Sequence, residues 1–379
     1  MTSTNNSNHR VAHICLSKGW GGLEMYPARV SKYLPEQSWE AVAICFKGGK
    51  VAQSFLDIGS DVFEVSSQAN ALFKIRTLVN WLKERNVSVL HCHKSSDLRL
   101  AAILKKMIGC RVIFTEHMGV TRPKKDFLHR WIYSHVDQVL SISDVTLARN
   151  IKALPVDPSK IKRLWLGTEF KKPDRTVNDI KQELGLTDQQ LIIGLPGRLC
   201  PGKGHCVLLD AFKLLQDDSA FKDAKLLIVG GLSAQDGADE DFVRGLENKI
   251  DDAKLTDKVV FSGFRSDMAN LLAIMDVVCI PSQNEAFGLT AIEAMAAGRK
   301  IVAADSGALP EIIENTGLLA SPDSAESFAL AINKIQQHTN INISRLTQER
   351  AEKLFSIQNH VRKLSEIYIE KLPPSYKNT

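Results

Sequence analysis

The 379 residues are 44% hydrophobic and 24% charged, an ordinary globular balance that supplies two full cores and is too long for one. No run of eighteen apolar residues occurs, which excludes a membrane-spanning helix, and the polar first ten residues lack the apolar stretch of a secretory signal. The net charge of +5 is uneven: residues 1–168 carry 24 Lys and Arg against 13 Asp and Glu, and the rest carry 24 against 30. A basic first half either faces something anionic (nucleic acid, lipid headgroups or a phosphorylated substrate) or simply presents solvated lysines. Seven cysteines, Cys15, Cys45, Cys92, Cys110, Cys200, Cys206 and Cys279, lie scattered with no CxxC pair, as expected of reduced thiols in a cytoplasmic protein rather than a disulfide or zinc framework.

In chain order, apolar runs predict strands at 11–16, 41–46, 61–65, 87–92, 111–115, 137–142 and 161–166. Helical periodicity fills the gaps at 22–34, 51–58, 72–85, 97–107, 127–135 and 144–153. Thr168 to Gln190 is polar and reads as a linker. The pattern then restarts, with strands at 191–195, 225–230, 258–262, 277–280 and 301–304 and helices at 205–216, 240–253, 267–275, 289–298 and 324–337. Segments 345–355 and 357–370 read as closing helices. Continuous apolar strands alternating with amphipathic helices predict parallel sheets covered on both faces. The expected architecture is two doubly wound lobes, with ligands beyond the carboxyl ends of the strands and a cleft between facing lobes as the default site.

Three groups of residues carry the chemistry. After the first strand, Gly19-Trp20-Gly21-Gly22-Leu23-Glu24 leads into a helix, and paired glycines there let a backbone approach an anion. The spacing is not GxGxxG and no acid ends the second strand, which argues against a dinucleotide site; a plain tight turn explains the glycines about as well. After the first strand of the second lobe, Gly197-Arg198-Leu199-Cys200-Pro201-Gly202-Lys203-Gly204 places a guanidinium and an ammonium five residues apart on a glycine-rich turn. That combination suits a diphosphate without being a Walker loop, and its bland alternative is a structural turn with two solvated cations. Third, Glu285-Ala286-Phe287-Gly288-Leu289-Thr290 opens a small-residue helix that contains Glu293. The amides of Phe287 to Thr290 sit at a helix N-terminus, and an acid in so apolar a helix needs a partner such as a ribose diol.

These three motifs together resemble the GT-B glycosyltransferases of family 4, and the resemblance spans essentially the whole chain. It implies two Rossmann-like domains facing across a cleft: an acceptor-binding domain over 1–168, a nucleotide-sugar-binding domain over 169–355, and a C-terminal helix over 356–379 packing back toward the first. It implies a retaining, metal-independent transfer with no cofactor beyond the nucleotide-diphosphate sugar. Arg198 and Lys203 would hold the diphosphate, Glu293 the ribose and Glu285 the donor sugar, with Phe287, Gly288, Leu289 and Thr290 placing sugar and phosphate. Gly21 and Gly22 would approach the diphosphate, His117 would stand near the donor sugar, and Ser282, Phe264 and Arg265 would lie near the nucleoside. The family often closes its first lobe with Asn-Gly-Val/Ile-Asp; Leu166-Gly167-Thr168-Glu169 lacks the Asn, so that loop receives no role. His91 and His93 flank Cys92 and hint at a metal, but the family pattern and the lack of an acidic partner favour a loop near the acceptor.

The segment 120–135 mixes Arg122, Lys124, Lys125 and Arg130 with Trp131 and Tyr133, a combination found at membrane interfaces and equally in a helix that packs its aromatics inward. The expectation is a peripheral protein on the inner face of the cytoplasmic membrane, with a phosphorylated glycolipid or glycan acceptor of lipopolysaccharide core or another surface polysaccharide. The rivals are a nucleotide-sugar 2-epimerase or a phosphorylase, for which no first-lobe acid/base set and no pyridoxal lysine is identified, and a non-catalytic sugar-nucleotide or RNA binder. Intact Arg198, Lys203, Glu285 and Glu293 argue against a non-catalytic binder. No RNP-like aromatic motif is present to support nucleic acid as a partner.

Overall fold

Strands β1 (His9–Cys15), β2 (Trp39–Phe46), β3 (Val62–Val65), β4 (Val87–Cys92), β5 (Arg111–Glu116), β6 (Gln138–Ser141) and β7 (Ile161–Arg163) form one sheet in the order β3-β2-β1-β4-β5-β6-β7, with every pairing parallel. The structure, a computed structural model, describes residues 9–337, 341–370 and 372. A parallel pair needs a crossover, and helices supply it on both faces, which is why β4 is buried along its whole length, its Ser88 and His91 included. Ile14, Leu90 and Phe114, each 0% exposed, lie in the principal core of this sheet.

The second sheet consists of β8 (Ile192–Pro196), β9 (Lys225–Val229), β10 (Val259–Phe261), β11 (Val277–Ile280), β12 (Lys300–Ala304) and β13 (Leu318–Ala320). Its order is β10-β9-β8-β11-β12-β13, again all parallel. In both sheets the first strand of the series sits inside and the order reverses beside it, between β1 and β4 and between β8 and β11. This is the doubly wound, Rossmann-like arrangement, and in each sheet that reversal opens a crevice at the carboxyl ends of the two strands.

The chain divides into two compact units, one comprising residues up to Gly167 with those from Ile357 onward, the other Thr168–Ser356. The helix Ile357–Ile369 therefore belongs to the first unit. There Tyr368 packs its ring 4.9 Å from that of Trp39, and Arg111 donates to the carbonyl of Ile367.

Three expectations are corrected. The polar stretch 168–190 is not a bare linker: Thr176 caps a helix at Val177–Glu183 by accepting from the Asp179 amide at 3.2 Å, and Asp174 and Arg175 donate their amides to Asn270. The helix expected at 72–85 is two, Gln68–Phe73 and Ile75–Glu84, broken at Lys74. Strand β13 and the short helix Leu309–Ile313 were not expected from the pattern.

Candidate functional site

In the second unit the loops after β8 and β11 flank the reversal of strand order, and contacts between them fix their relative position. The amide of Gln283 donates to the carbonyl of Gly202 at 2.9 Å. Gly204, at φ +76°, lies so close to the second loop that a Cβ would sit 2.3 Å from the Pro281 carbonyl oxygen, so only glycine fits. Across the same gap Lys203 Nζ donates to Glu285 Oε2 at 2.8 Å. Both side chains are about a quarter exposed, 29% and 23%, so the pair is neither sealed nor fully screened.

An ammonium has three donors, and among the described residues Lys203 uses one, leaving two. Arg198 is exposed and its guanidinium bonds no other described residue, so its whole fork is available. The turn carrying Glu285 is braced by Asn284, whose amide donates to Ser306 Oγ at 3.0 Å, and by the Glu285 carbonyl, which accepts from Ala308 at 2.8 Å. Gly288, at φ +89°, turns the chain into the helix Leu289–Ala296, whose first amides have no acceptor within the helix. Phe287 is 4% exposed, with its ring 6.1 Å from that of Phe355, so it anchors the turn. Ser282 is buried beside the same turn, and Glu293 is half-buried one turn into the helix. The loop after β8 thus carries the exposed Arg198 and a Lys203 with two donors left, and the loop after β11 carries Glu285 and leads to the amides that start Leu289–Ala296 and, one turn on, to Glu293. Cations, open amides and carboxylates are the groups that the chemistry of a diphosphate joined to polyols calls for.

Two of the expected nucleoside contacts differ in kind. Phe264, in the turn after β10, is 65% exposed. Arg265 is committed: its guanidinium forms two bonds to Asp267, at 2.7 and 2.8 Å, and one to Glu183, and these carboxylates hold it well above the usual guanidinium range. Its side chain braces the turn after β10 against the helix Val177–Glu183.

In the first unit the corresponding crevice lies between β1 and β4. Gly21 is extended and precedes the helix Gly22–Ser31 as its cap residue, and a side chain added at Gly22 would meet nothing within 4 Å, so the backbone is open to approach. Ser17 Oγ donates to Glu24 Oε1 at 2.7 Å and receives Lys94 Nζ at 3.3 Å. Asp97, fully buried, accepts from the Leu16 amide, and burial pushes its carboxyl up to about 6. His117 follows β5, is 5% exposed, and is pushed down to about 3 by burial, so it is a neutral imidazole at physiological pH.

Sequence reasoning missed Asp97 and the surroundings of His117. His91 and His93 are not at the surface: both are buried and lie beside His13, the register partner of His91 in the β1–β4 pairing. The signal available was a histidine inside each of two largely apolar runs, His13 in VAHICL and His91 in VSVLHC.

In the basic segment the aromatic residue at 131 takes the inward-packing alternative. Trp131 is half-buried against the core, with Lys106 over its ring at 5.4 Å. Its exposed apolar side chains are Phe127, Leu128 and, just upstream, Met118, interleaved with exposed Arg122, Lys125 and Arg130; Lys124 is half-buried. Among the described residues no helix is long and apolar enough to cross a membrane.

Comparison with known proteins bears on both units. Residues 20–170 match the family described as Glycosyltransferase Family 4, and residues 176–353 match Glycosyl transferases group 1. The UDP-Gal:alpha-D-GlcNAc-diphosphoundecaprenol alpha-1,3-galactosyltransferase of Escherichia coli is 24% identical over 98% of this chain and 99% of its own. A glycosyltransferase of Rickettsia africae superposes with a TM-score of 0.86 at 23% identity, covering 98% of this chain and all of that one. Anabaena Alr3699/HepE, crystallised with UDP, superposes at 0.80 with 22% identity over 94% of this chain and 99% of its own, a likeness of fold.

Proposed function

The chain belongs to the GT-B glycosyltransferases of family 4, and we propose that it transfers a hexosyl group from a nucleotide-diphosphate sugar to a phosphorylated, lipid-linked glycan, with retention of configuration and without a metal ion. The observation that carries this reading is the pair of loops after β8 and β11, which present the unengaged Arg198 fork and Lys203, already held by Glu285, beside the amides at the start of Leu289–Ala296.

In the transfer, the bond between the anomeric carbon and the diphosphate oxygen breaks and its electron pair goes to the phosphate. Negative charge grows there while the sugar becomes oxocarbenium-like. Arg198 and the two remaining donors of Lys203 stabilise the leaving diphosphate, as a divalent ion does in other enzymes, and helix-start amides add to the same field. Glu285 plays a double part: one carboxylate oxygen fixes the ammonium while the carboxylate accepts sugar hydroxyls. Glu293 takes the ribose hydroxyls. The acceptor oxygen then bonds to the anomeric carbon on the face the phosphate has left, and its proton passes to the departing phosphate. Phe264 lies toward the base; Arg265 supports that turn from behind.

The acceptor half of the proposal draws on the undecaprenyl-diphosphate-linked substrate named for the Escherichia coli relative and on the exposed cations and apolar groups of the first unit. Arg122, Lys125 and Arg130 meet anionic headgroups while Phe127, Leu128 and Met118 enter the interface, each cation contributing about 1 kcal/mol. The test offers UDP-, GDP- and ADP-hexoses with an undecaprenyl-diphosphate-linked GlcNAc acceptor, or with truncated lipopolysaccharide core, and follows label into the lipid fraction. Transfer from one donor class, indifferent to chelator, giving a retained anomer and lost in Glu285→Ala, is expected. An inverted product, or activity abolished by chelator, would overturn the mechanism.

A further inference from the structure

The first unit contains a chain of imidazoles that the transfer as described leaves unused. His13 on β1, His91 on β4, His93 just beyond β4 and His117 just beyond β5 are 0%, 0%, 1% and 5% exposed. His93 stands at the centre: its Nε2 lies 2.9 Å from His13 Nδ1, and its Nδ1 lies 3.5 Å from His117 Nε2. Donor atoms of His13, His91 and His93 fall within 4.8 Å of one another, a spacing that first suggests a cation. Yet both ring nitrogens of His91 are engaged, Nδ1 with the Tyr368 hydroxyl at 2.6 Å and Nε2 with the Thr115 hydroxyl at 2.8 Å. The three remaining rings, His13, His93 and His117, form an open hydrogen-bonded chain.

Burial holds all of these rings well below the usual imidazole range, so each carries one N–H and one lone pair. The chain then has two proton registers. If the hydrogens point toward His13, its Nε2–H ends in the interior without any partner, because that atom meets no acceptor. If they point toward His117, the bare atom at the sealed end is a lone pair. A buried, unpaired N–H is the rarer and costlier defect. The second register therefore prevails: His13 Nδ1–H to His93 Nε2, His93 Nδ1–H to His117 Nε2, and the hydrogen of His117 on Nδ1, which bonds no described residue.

From this we propose that His93, backed by His13, is a positioning residue that locks His117 as its Nδ1–H tautomer, so that His117 always presents a hydrogen-bond donor and never a lone pair. A fixed donor recognises an oxygen acceptor, either a hydroxyl of the donor sugar or an oxygen of its diphosphate. The proposal rests on the reading of His117 as a donor-sugar contact, but the tautomer itself does not depend on it.

The test is 15N NMR of protein labelled at histidine, with His117 assigned by its loss in His117→Ala. Wild type is expected to show His117 protonated at Nδ1 and bare at Nε2. His93→Phe, which keeps a ring and removes the chain, is expected to move the hydrogen to Nε2. It is also expected to lower kcat roughly tenfold, the size of one net hydrogen bond, while the thermal shift given by nucleoside diphosphate stays unchanged. His93→Gln, which can again accept and donate, is expected to restore part of the rate. Three results would overturn the proposal: His117 protonated at Nε2 in wild type, a tautomer unaltered in His93→Phe, or one equivalent of transition metal in protein purified without added metal. Since wild type alone answers the first point, a variant that fails to fold leaves the proposal open to refutation. Wild-type turnover in His117→Ala would instead refute the contact with the donor sugar, a separate failure.

Discussion

Lowering the pH from 7 to 5 is expected to destabilise the first unit far more than the second. Burial holds His13 and His117 near 3, and His360 near 4, whereas an unfolded imidazole titrates near 6.5. With the folded values below the unfolded one, the unfolded chain binds protons in the intervening window that the native chain does not. Stability therefore rises with pH there and is lost on acidification from about 6.5 downward. By pH 5 each of the three costs about 2 kcal/mol relative to pH 7, about 6 kcal/mol together, and His91 and His93 act in the same direction. Asp97 acts oppositely: its folded value of about 6 lies above that of an unfolded carboxyl, so the native chain takes up the proton first and regains roughly 1 kcal/mol by pH 5. Among the described residues the second unit has one comparable imidazole, His205, held near 4, worth about 2 kcal/mol. Against a typical domain stability of about 5–15 kcal/mol, the first unit loses a large share. All five tryptophans, Trp20, Trp39, Trp81, Trp131 and Trp165, lie in the first unit, so their fluorescence reports it alone while far-ultraviolet circular dichroism reports both. Urea unfolding should show the fluorescence midpoint falling steeply between pH 7 and 5, with the dichroism curve splitting in two. A fluorescence midpoint that does not move over this range would refute the reasoning, since it would mean that these imidazoles titrate in the native state as they do unfolded.

Two further outcomes are expected. Lys203→Ala removes a donor aimed at the growing diphosphate charge and unpairs Glu285, so kcat/KM should fall by about 2–4 kcal/mol of transition-state stabilisation with the fold intact; a near-wild-type rate would remove Lys203 from the mechanism. Replacing Arg122, Lys125 and Arg130 together by Glu should abolish sedimentation with vesicles of anionic phospholipid at low salt while leaving nucleotide binding unchanged, and retained sedimentation would place the membrane contact elsewhere.

Much of the architecture could be read from the residues because buried parallel strands are largely apolar runs, unbroken at β11, and few other elements look like that. What escaped was short or interrupted. Strand β13 is three residues long, too short for periodicity, and the helix Val177–Glu183 is hidden in a polar stretch that the packing of Ile180 holds in place. In the candidate site, Gly197 to Gly204 and Glu285 to Thr290 stood out because glycines and charges interrupt apolar segments. Their pairing through Lys203 and Glu285, 82 residues apart, is a tertiary fact. The histidines show the limit most clearly. His91 and His93 beside Cys92 suggested a loop near the acceptor, whereas the partners that define them come from β1 (His13), β5 (Thr115), the residue after it (His117) and the C-terminal helix (Tyr368), contacts that the local sequence does not show. Trp131 was left between two readings for a related reason: an amphipathic helix shows which residues share a face, and packing decides which face is inside.

The central claim is that the loops after β8 and β11 bind the diphosphate of a nucleotide sugar, and calorimetric melting with UDP, GDP, ADP and CMP tests it most directly. The account predicts that one nucleoside diphosphate raises the melting temperature of the second unit. At a hundred times its Kd the gain would be about 2.7 kcal/mol, the same with chelator present and lost in Glu293→Ala. No shift with any of the nucleotides, or a shift that survives both Glu293→Ala and Lys203→Ala, would contradict it.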